Sequence, residues 1–305
     1  MTFAIQTFDL SRRFAGGFGV HALNLHVPAG TVYGFLGPNG AGKTTTVRLL
    51  LDLLRPDAGR VELFGKPLSR QNRTPLSMVG ALVESPSLYQ HLSGRQNLDV
   101  TRRLLDLPLQ RIDETLELVG LREAADRRVR DYSLGMRQRL AIALALLPAP
   151  KLLILDEPTN GLDPAGILDM RRLLRELAAQ GLTVFVSSHL LAEIELIARH
   201  VGVLQAGRLR FEGELDALRA HAHPKLLIRC DDPVQAAYTL AQAGERISDV
   251  DAEGLKVQLG ARSEIDINRL LVTQRIGVSH LAREAVSLES LFFALTDAPV
   301  LERAA

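Results

Sequence analysis

A short segment near the start of the chain has the residue types and the spacing that phosphate recognition requires. Its nine residues are Gly37, Pro38, Asn39, Gly40, Ala41, Gly42, Lys43, Thr44 and Thr45. The first eight fit the pattern G-x-x-x-x-G-K-[ST], in which bare glycines let backbone N–H groups converge on anionic oxygens. Lys43 is then placed to reach the β- and γ-phosphates, and Thr44 to offer its hydroxyl to Mg²⁺. The segment predicts a site for a nucleoside triphosphate with Mg²⁺.

The residues on either side of this segment predict the elements that would position it. An apolar run over residues 32–36 predicts a strand before the loop, and residues 44–52 predict a helix after it. The helix would point its N-terminal dipole at the bound phosphates. A strand, a bare loop and a helix in this order are the context that the phosphate-binding motif requires.

Two adjacent acids, Asp156 and Glu157, follow an aliphatic run over residues 152–155. An apolar strand that ends in carboxylates places them at the ligand-binding edge of a sheet. Asp156 is suited to hold Mg²⁺, and Glu157 to orient or deprotonate an attacking water. Taken alone, two acids at the end of an apolar strand more often cap the strand than bind a metal. The phosphate loop upstream makes the metal site the favoured interpretation here.

Three further segments complete a recognisable series. Residues 132–138 read Tyr-Ser-Leu-Gly-Met-Arg-Gln, residues 160–163 read Asn-Gly-Leu-Asp, and residues 186–189 read Val-Ser-Ser-His. With the phosphate loop and the acidic pair, they make the chain resemble the ATP-binding subunits of ATP-binding cassette (ABC) transporters, from residue 1 to about residue 220. The resemblance implies ATP as the nucleotide, His189 as the residue that contacts the γ-phosphate, and Asp163 as part of the nucleotide site.

The segment that contains Ser133 and Gly135 stands where the family has its signature motif. Ser133 is suited to cap a helix over residues 134–147, and Gly135 to leave backbone amides open to a γ-phosphate. In the family that phosphate belongs to the opposite subunit, so the resemblance implies a homodimer that sandwiches two ATP molecules head to tail. Met136 and Arg137 replace the usual glycine and glutamine, and we expect Arg137 to be solvated.

Two other positions depart from the family's usual residues. Phe14 stands where an aromatic ring, usually Tyr, stacks on adenine, and the alternative for it is a core role. Glu84 stands where most members have a glutamine that contacts Mg²⁺ and the attacking water. Its extra charge is favourable beside the metal and costly beside the γ-phosphate. The glutamate form resembles the subgroup associated with resistance or immunity to bacitracin and lantibiotic-type peptides; the alternative is a substitution without bearing on cargo.

The pattern of the whole chain predicts an α/β fold in two parts. The first, residues 1–222, would be the ATP-binding domain: a phosphate-loop NTPase core with an antiparallel β subdomain near the N-terminus and a helical subdomain inserted over residues 93–130. Helices are predicted over residues 165–180 and 190–198, and strands over residues 183–187 and 201–205. The second, residues 223–305, would be a ferredoxin-like accessory module with the order β-α-β-β-α-β and a last helix over residues 287–296.

Composition narrows the class of protein and its partners. The 36 basic and 35 acidic residues give a net charge of +1, which predicts no nucleic-acid partner. The single cysteine, Cys230, allows no intrachain disulfide, fits a reducing compartment and is expected to be a core thiol. We expect no signal peptide and no membrane span, since no run approaches the roughly 20 apolar residues that a span needs. The protein would then act at the cytoplasmic face of the cell membrane, through a separate transmembrane permease subunit.

These observations predict the ATP-hydrolysing subunit of an ABC exporter, possible cargoes being peptide antibiotics or drugs. The alternatives are an ABC ATPase with another cargo (lipid, polysaccharide or an imported solute) and a regulatory ABC ATPase. The cassette motifs do not separate export from import. A ribosome-associated or DNA-repair member would need a second cassette or a long coiled coil. A regulator that binds ATP without hydrolysis would be expected to lack Glu157 or His189, and both are present.

Overall fold

The computed structural model of the protein describes residues 2–84, 87–220, 225–260 and 262–284. The contacts within the chain fall into two compact units, Met1–Leu215 and Asp216–Ala305. The domain boundary predicted after residue 222 lies a few residues beyond this division and stays a prediction. In the described residues no helix has the length and apolar character that crossing a membrane would require.

The first unit alternates strands and helices along the chain. Its strands are β1 (Phe3–Arg13), β2 (Gly19–Leu23), β3 (His26–Pro28), β4 (Val32–Leu36), β5 (Ala58–Leu63), β6 (Lys66–Leu68), β7 (Val79–Leu82), β8 (Leu152–Asp156), β9 (Thr183–Ser188), β10 (His200–Gln205) and β11 (Arg208–Glu214). Its helices are α1 (Lys43–Leu50), α2 (Gly94–Leu104), α3 (Gln110–Leu118), α4 (Leu134–Leu146), α5 (Pro164–Ala179) and α6 (Leu191–Ile194). Short 3-10 turns lie at Ala15–Gly17, Thr74–Met78 and Val129–Asp131, and α7 (Leu215–Ala220) begins at the end of this unit.

A largely parallel sheet carries the phosphate loop. Within the described residues its strands lie in the order β11–β10–β4–β9–β8–β7, and the β10–β11 pair is antiparallel. Every residue of β4, β8 and β9 is buried, which explains why these strands are continuous apolar runs rather than alternating ones. The phosphate loop and the acidic pair therefore meet at the carboxyl edge of the sheet, where α/β folds bind their ligands.

A second, antiparallel sheet packs on the first, as predicted. Its strand order is β2–β1–β5–β6, and β3 also pairs with β1. One hydrophobic core includes residues of both sheets and of α1, such as Ile5, Val47 and Phe185. At its centre the rings of Tyr33 and Phe185 stack with centroids 5.6 Å apart, and Phe35 lies against Phe185 at 5.3 Å. These contacts hold β4 and β9 in place beneath the carboxyl edge of the parallel sheet, where the phosphate loop lies.

The predicted helical subdomain is present between β7 and β8, formed by α2, α3 and α4. Ser93 begins α2 with a capping box in which Gln96 returns a hydrogen bond, a pattern that fixes the start of a helix. The helix predicted over residues 190–198 is wrong in length, since α6 ends at Ile194. The chain turns there because it must enter β10 at His200, beside Tyr33 of β4. Strands β6, β7 and β11 were not predicted.

The second unit has the element order that the sequence predicts. Its elements are β12 (Lys225–Cys230), α8 (Pro233–Gln242), β13 (Arg246–Val250), β14 (Gly254–Gln258), α9 (Glu264–Thr273) and β15 (Val278–Glu284). The sheet has the order β13–β14–β12–β15, and all neighbours are antiparallel. Cys230 lies in the core of this unit, where burial raises the pKa of its thiol, so the predicted core role is confirmed. The helix predicted over residues 287–296 lies outside the described residues.

Candidate functional site

The loop between β4 and α1 has the bare, tightly turned backbone that phosphate binding needs. Gly40 and Gly42 have left-handed φ angles of 80° and 106°, which a residue with a Cβ atom adopts only with strain. A Cβ atom on Gly37 would lie 2.5 Å from the carbonyl oxygen of Leu204. Helix α1 begins directly after Gly42, so its free N–H groups face the space above the loop.

The ammonium group of Lys43 is folded back over this loop. It donates hydrogen bonds to the carbonyl oxygens of Gly37 at 2.8 Å and Pro38 at 3.3 Å, and lies 3.1 Å from Oε1 of Glu157. The side chain is only 6% exposed, and a buried charge of this kind needs such partners. Phosphate oxygens can replace these acceptors, which makes Lys43 a preformed anion contact.

Oxygen atoms suited to a magnesium ion meet at the end of β8. The hydroxyl of Thr44 donates to Oδ2 of Asp156 at 2.7 Å, and the hydroxyl of Ser187 donates to Oδ1 of the same carboxylate at 2.5 Å. Asp156 is 5% exposed. In the described residues no group of three or more His, Cys, Asp or Glu side chains could hold a metal. A few protein oxygens beside a phosphate site suit Mg²⁺, which keeps waters and phosphate oxygens as its other ligands.

Glu157 is held on both sides of its carboxylate. Its Oε2 lies 2.8 Å from Nδ1 of His189, and its Oε1 faces Lys43. Its backbone N–H donates to the carbonyl oxygen of Ser187 at 3.2 Å and to the hydroxyl at 3.0 Å, with Glu157 itself at a φ of 50°. Ser187 was missed by sequence reasoning, although it lies two residues before His189. The arrangement fixes a carboxylate next to a phosphate site, as a general base requires.

A cavity of about 500 Å³ joins these groups to aromatic side chains. Its lining residues include most of the predicted nucleotide contacts: Phe14, Asn39, Gly40, Gly42, Lys43, Thr44, Thr45, Glu157 and His189. Phe14 is 42% exposed, which contradicts a core role, and the guanidinium carbon of Arg12 lies 5.3 Å from the centre of its ring. Phe18 also lines the cavity and is 70% exposed. Phe18 is not among the residues that the sequence predicts for the site.

Glu84 and Arg137 lie on a neighbouring cavity of about 480 Å³, whose lining includes Thr44, Asp156 and Glu157. Glu84 forms an ion pair with Arg48 of α1 and has a left-handed φ of 63°. Arg137 was expected to be solvated, but it is half-buried on this cavity and its Nε has no hydrogen-bond partner among the described residues. Both charges thus stand near the proposed metal oxygens, and Glu84 is paired with a cation.

Ser133, Gly135 and Asp163 are not brought into the phosphate-loop cavity. They line a separate cavity of about 360 Å³. Ser133 caps α4 as predicted, since its hydroxyl accepts a hydrogen bond from the N–H of Met136 at 3.2 Å. Asp163 caps α5 in the same way, accepting from the N–H of Gly166 at 3.0 Å. The predicted phosphate contacts of a single chain therefore lie on two distinct surfaces.

Known proteins resemble this chain over nearly its whole length. The family model described as ABC transporter matches residues 20–160. The bacitracin transport ATP-binding protein BcrA of Bacillus licheniformis is 40% identical over 97% of this chain and 98% of its own length. This chain belongs to the ATP-binding proteins of ABC transporters. The lantibiotic transport ATP-binding protein SrtF of Streptococcus pyogenes is 41% identical over 64% of this chain and 83% of its own length.

Solved structures of ABC proteins share the fold. The structure of cbiO1 from Clostridium perfringens, described as part of an ABC transporter complex, covers 72% of this chain and 92% of its own, with 28% identity and a TM-score of 0.67. The predicted family, subgroup and α/β fold class are confirmed. The chain is an ATP-binding subunit of an ABC transport system, and it hydrolyses ATP to drive transport. The roles of individual residues stay predictions.

Proposed function

We propose that this protein drives the export of a peptide antibiotic by closing as a homodimer on two molecules of Mg-ATP. The observation that carries the proposal is the separation of the phosphate-loop cavity from the surface of Ser133 and Gly135. Each surface has an open helix N-terminus, and neither alone encloses a nucleotide. If two copies are related by a two-fold axis, the phosphate-loop cavity of each copy can face the Ser133 surface of the other. The dimer would then enclose two identical nucleotide sites, which is the isologous geometry of a two-fold dimer.

Each group at the phosphate loop has a distinct task in this proposal. Lys43 and the loop amides bind the phosphates, while Thr44 and Asp156 hold Mg²⁺, which neutralises charge on the phosphate oxygens. Glu157 orients the attacking water and accepts its proton, since its carboxylate stands beside Lys43 and His189. His189 keeps that carboxylate in place and contacts the γ-phosphate. Phe14 supports the adenine ring.

The cargo and the place of action follow from the relatives and from Glu84. BcrA and SrtF are named for the transport of bacitracin and of a lantibiotic. Their sequence identity to this chain, together with the glutamate at position 84, supports a peptide antibiotic as the cargo. A separate permease would hold the protein at the cytoplasmic face of the cell membrane. Residues 223–305 would be an accessory module of this subunit.

The first experiment tests the dimer and the role of Glu157. Glu157→Gln should bind ATP but lower phosphate release at least about a hundredfold, and should elute with ATP as a dimer in size-exclusion chromatography with light scattering. Adding Gly135→Asp should return the protein to a monomer with ATP bound. A Cβ atom at Gly135 has ordinary space, 3.9 Å from its nearest neighbour, so the added charge and not misfolding would act.

Glu176→Gln is the matched control, since Glu176 lies exposed on α5 away from the cavities. It should keep full turnover and remain a monomer after hydrolysis. Turnover of Glu157→Gln within twofold of the wild type would remove Glu157 from the mechanism. Export is tested by expressing the chain together with its permease in a sensitive strain. Resistance to bacitracin or lantibiotics that Glu157→Gln abolishes is the expected result, and no change in resistance would contradict this cargo.

A further inference from the structure

A buried carboxylate lies outside the nucleotide cavities and has no assigned task. Glu193 is 6% exposed and lies on α6, four residues after His189. Its Oε2 accepts a hydrogen bond from the hydroxyl of Thr159, two residues after Glu157. Within the described part of the chain no lysine, arginine or histidine forms an ion pair with it. Burying a carboxylate without a cation beside it lowers the stability of the fold. We therefore ask what its contact with Thr159 does for the site.

The contact is the last of three that join the end of β8 and the segment after it to the end of β9 and the segment after it. The first joins Ser187 to Asp156 and to the backbone of Glu157, and the second joins His189 to Glu157. The third joins Glu193 to Thr159, and neither of these residues lines the two cavities that contain Glu157. All three contacts link residues about 30 positions apart in sequence.

Backbone hydrogen bonds tie Thr159 into the loop that follows Glu157. The N–H of Asn160 donates to the carbonyl oxygen of Glu157 at 3.1 Å, and the N–H of Leu162 donates to that of Thr159 at 3.1 Å. A shift of Thr159 would therefore move Glu157 on one side and the Asp163 cap on the other. Small displacements of a positioned base lower the reaction rate strongly, because proton transfer depends steeply on geometry.

We propose that the Thr159–Glu193 hydrogen bond is a positioning contact that holds the Glu157 carboxylate against His189 in the geometry for attack on ATP. It acts through the chain, since neither residue lines the cavities that contain Glu157, and it rests on the proposed roles of Glu157 and His189. ATP binding depends on the phosphate loop, which this contact does not reach. Loss of the contact should therefore lower kcat and leave KM for ATP unchanged.

The experiment uses the full-length chain and a pair of near-isosteric variants. Thr159→Val removes the hydroxyl and should lower kcat about tenfold with KM within twofold, the size expected for losing a hydrogen bond to a charged group. Thr159→Ser restores the hydroxyl and should recover at least half of kcat. Glu193→Gln keeps an acceptor oxygen and should lie between them. Thr159→Val with Glu193→Gln should be no slower than Thr159→Val alone, since without the Thr159 hydroxyl the side chain at position 193 has no contact left to lose.

Thermal unfolding of each variant separates positioning from a merely structural role. A loss of kcat in Thr159→Val that Thr159→Ser shares, or that tracks the fraction of unfolded protein, would overturn the proposal. Full kcat in Thr159→Val, or a raised KM with normal kcat, would overturn it as well. Glu157→Gln is measured in parallel. If Glu157→Gln keeps its activity, the proposed role of Glu157 fails; if it is inactive while Thr159→Val is fully active, only the positioning role fails.

Discussion

The guanidinium of Arg48 pairs with the carboxylate of Glu84, and this pair joins the helix after the phosphate loop to the segment after β7. Arg48 lies four residues after Thr44, so both side chains stand on the same face of α1. Glu84, Thr44 and Asp156 line one cavity. The negative charge of Glu84 is thus accompanied by a cation placed to compensate it.

Removing that cation should matter only while Glu84 keeps its charge. Arg48→Met should weaken ATP binding about two- to fivefold, the range for an exposed ion pair, because the unpaired carboxylate then faces the phosphates. Arg48→Met combined with Glu84→Gln should recover wild-type affinity, since no charge remains to be compensated. Arg70→Met, which removes an exposed arginine elsewhere, is the control. Equal losses in the single and double variants, measured by calorimetry, would rule out compensation.

Phe14 and Phe18 should contribute to recognition of the base and not of the phosphates. Phe14→Ala should raise the Kd for ATP about tenfold, the size of one base–aromatic stack, and leave the Kd for inorganic tripolyphosphate unchanged. Phe14→Tyr should bind ATP like the wild type because it keeps the ring. Phe18→Ala shows which of the two rings meets adenine. If Phe14→Ala weakened both ligands equally, the ring would support the loop rather than the base.

A chain that ends at residue 222 should fold and bind ATP with wild-type affinity. The contacts of the first unit close within Met1–Leu215, and all the residues of the candidate site lie upstream of that point. The two units have separate hydrophobic cores. Circular dichroism and a fluorescent ATP analogue would measure folding and binding. An insoluble or nucleotide-blind product would mean that the accessory module completes the cassette.

Stability should fall as the pH is lowered through the range in which histidine titrates, in part because of His200. Burial lowers the pKa of this ring in β10 below its usual value, although Glu214 opposes the shift. Because the pKa of His200 is lower in the folded protein, the unfolded chain binds a proton at this ring more readily. The stability that the neutral ring contributes is therefore complete above the pKa of the unfolded chain and is lost as the pH falls below it. Urea titrations at pH 7.5 and 5.5 should show a smaller pH difference for His200→Gln. An unchanged difference would exclude His200 as a source.

The sequence predicted the parts of the site that depend on local backbone, and missed those that depend on pairing. The glycines and Lys43 of the phosphate loop, the cap at Ser133 and the acids at the end of β8 each follow from a few neighbouring residues. Arg48 with Glu84, and Thr159 with Glu193, are 36 and 34 positions apart, and residue types alone do not tell which charges and hydroxyls meet. The length of α6 was wrong because the turn into β10, and not helix propensity, ends it.

The place of β4 in its sheet has a consequence for how this protein is made. The strand that presents the phosphate loop is synthesised early, yet its two neighbours in the sheet are β9 and β10, which end at Ser188 and Gln205. A ribosome that has translated the whole phosphate loop and the acidic pair still holds a chain in which the loop has no fixed support. Nucleotide stabilises only states that bind it, so ATP can assist folding only after translation has passed the last of these strands.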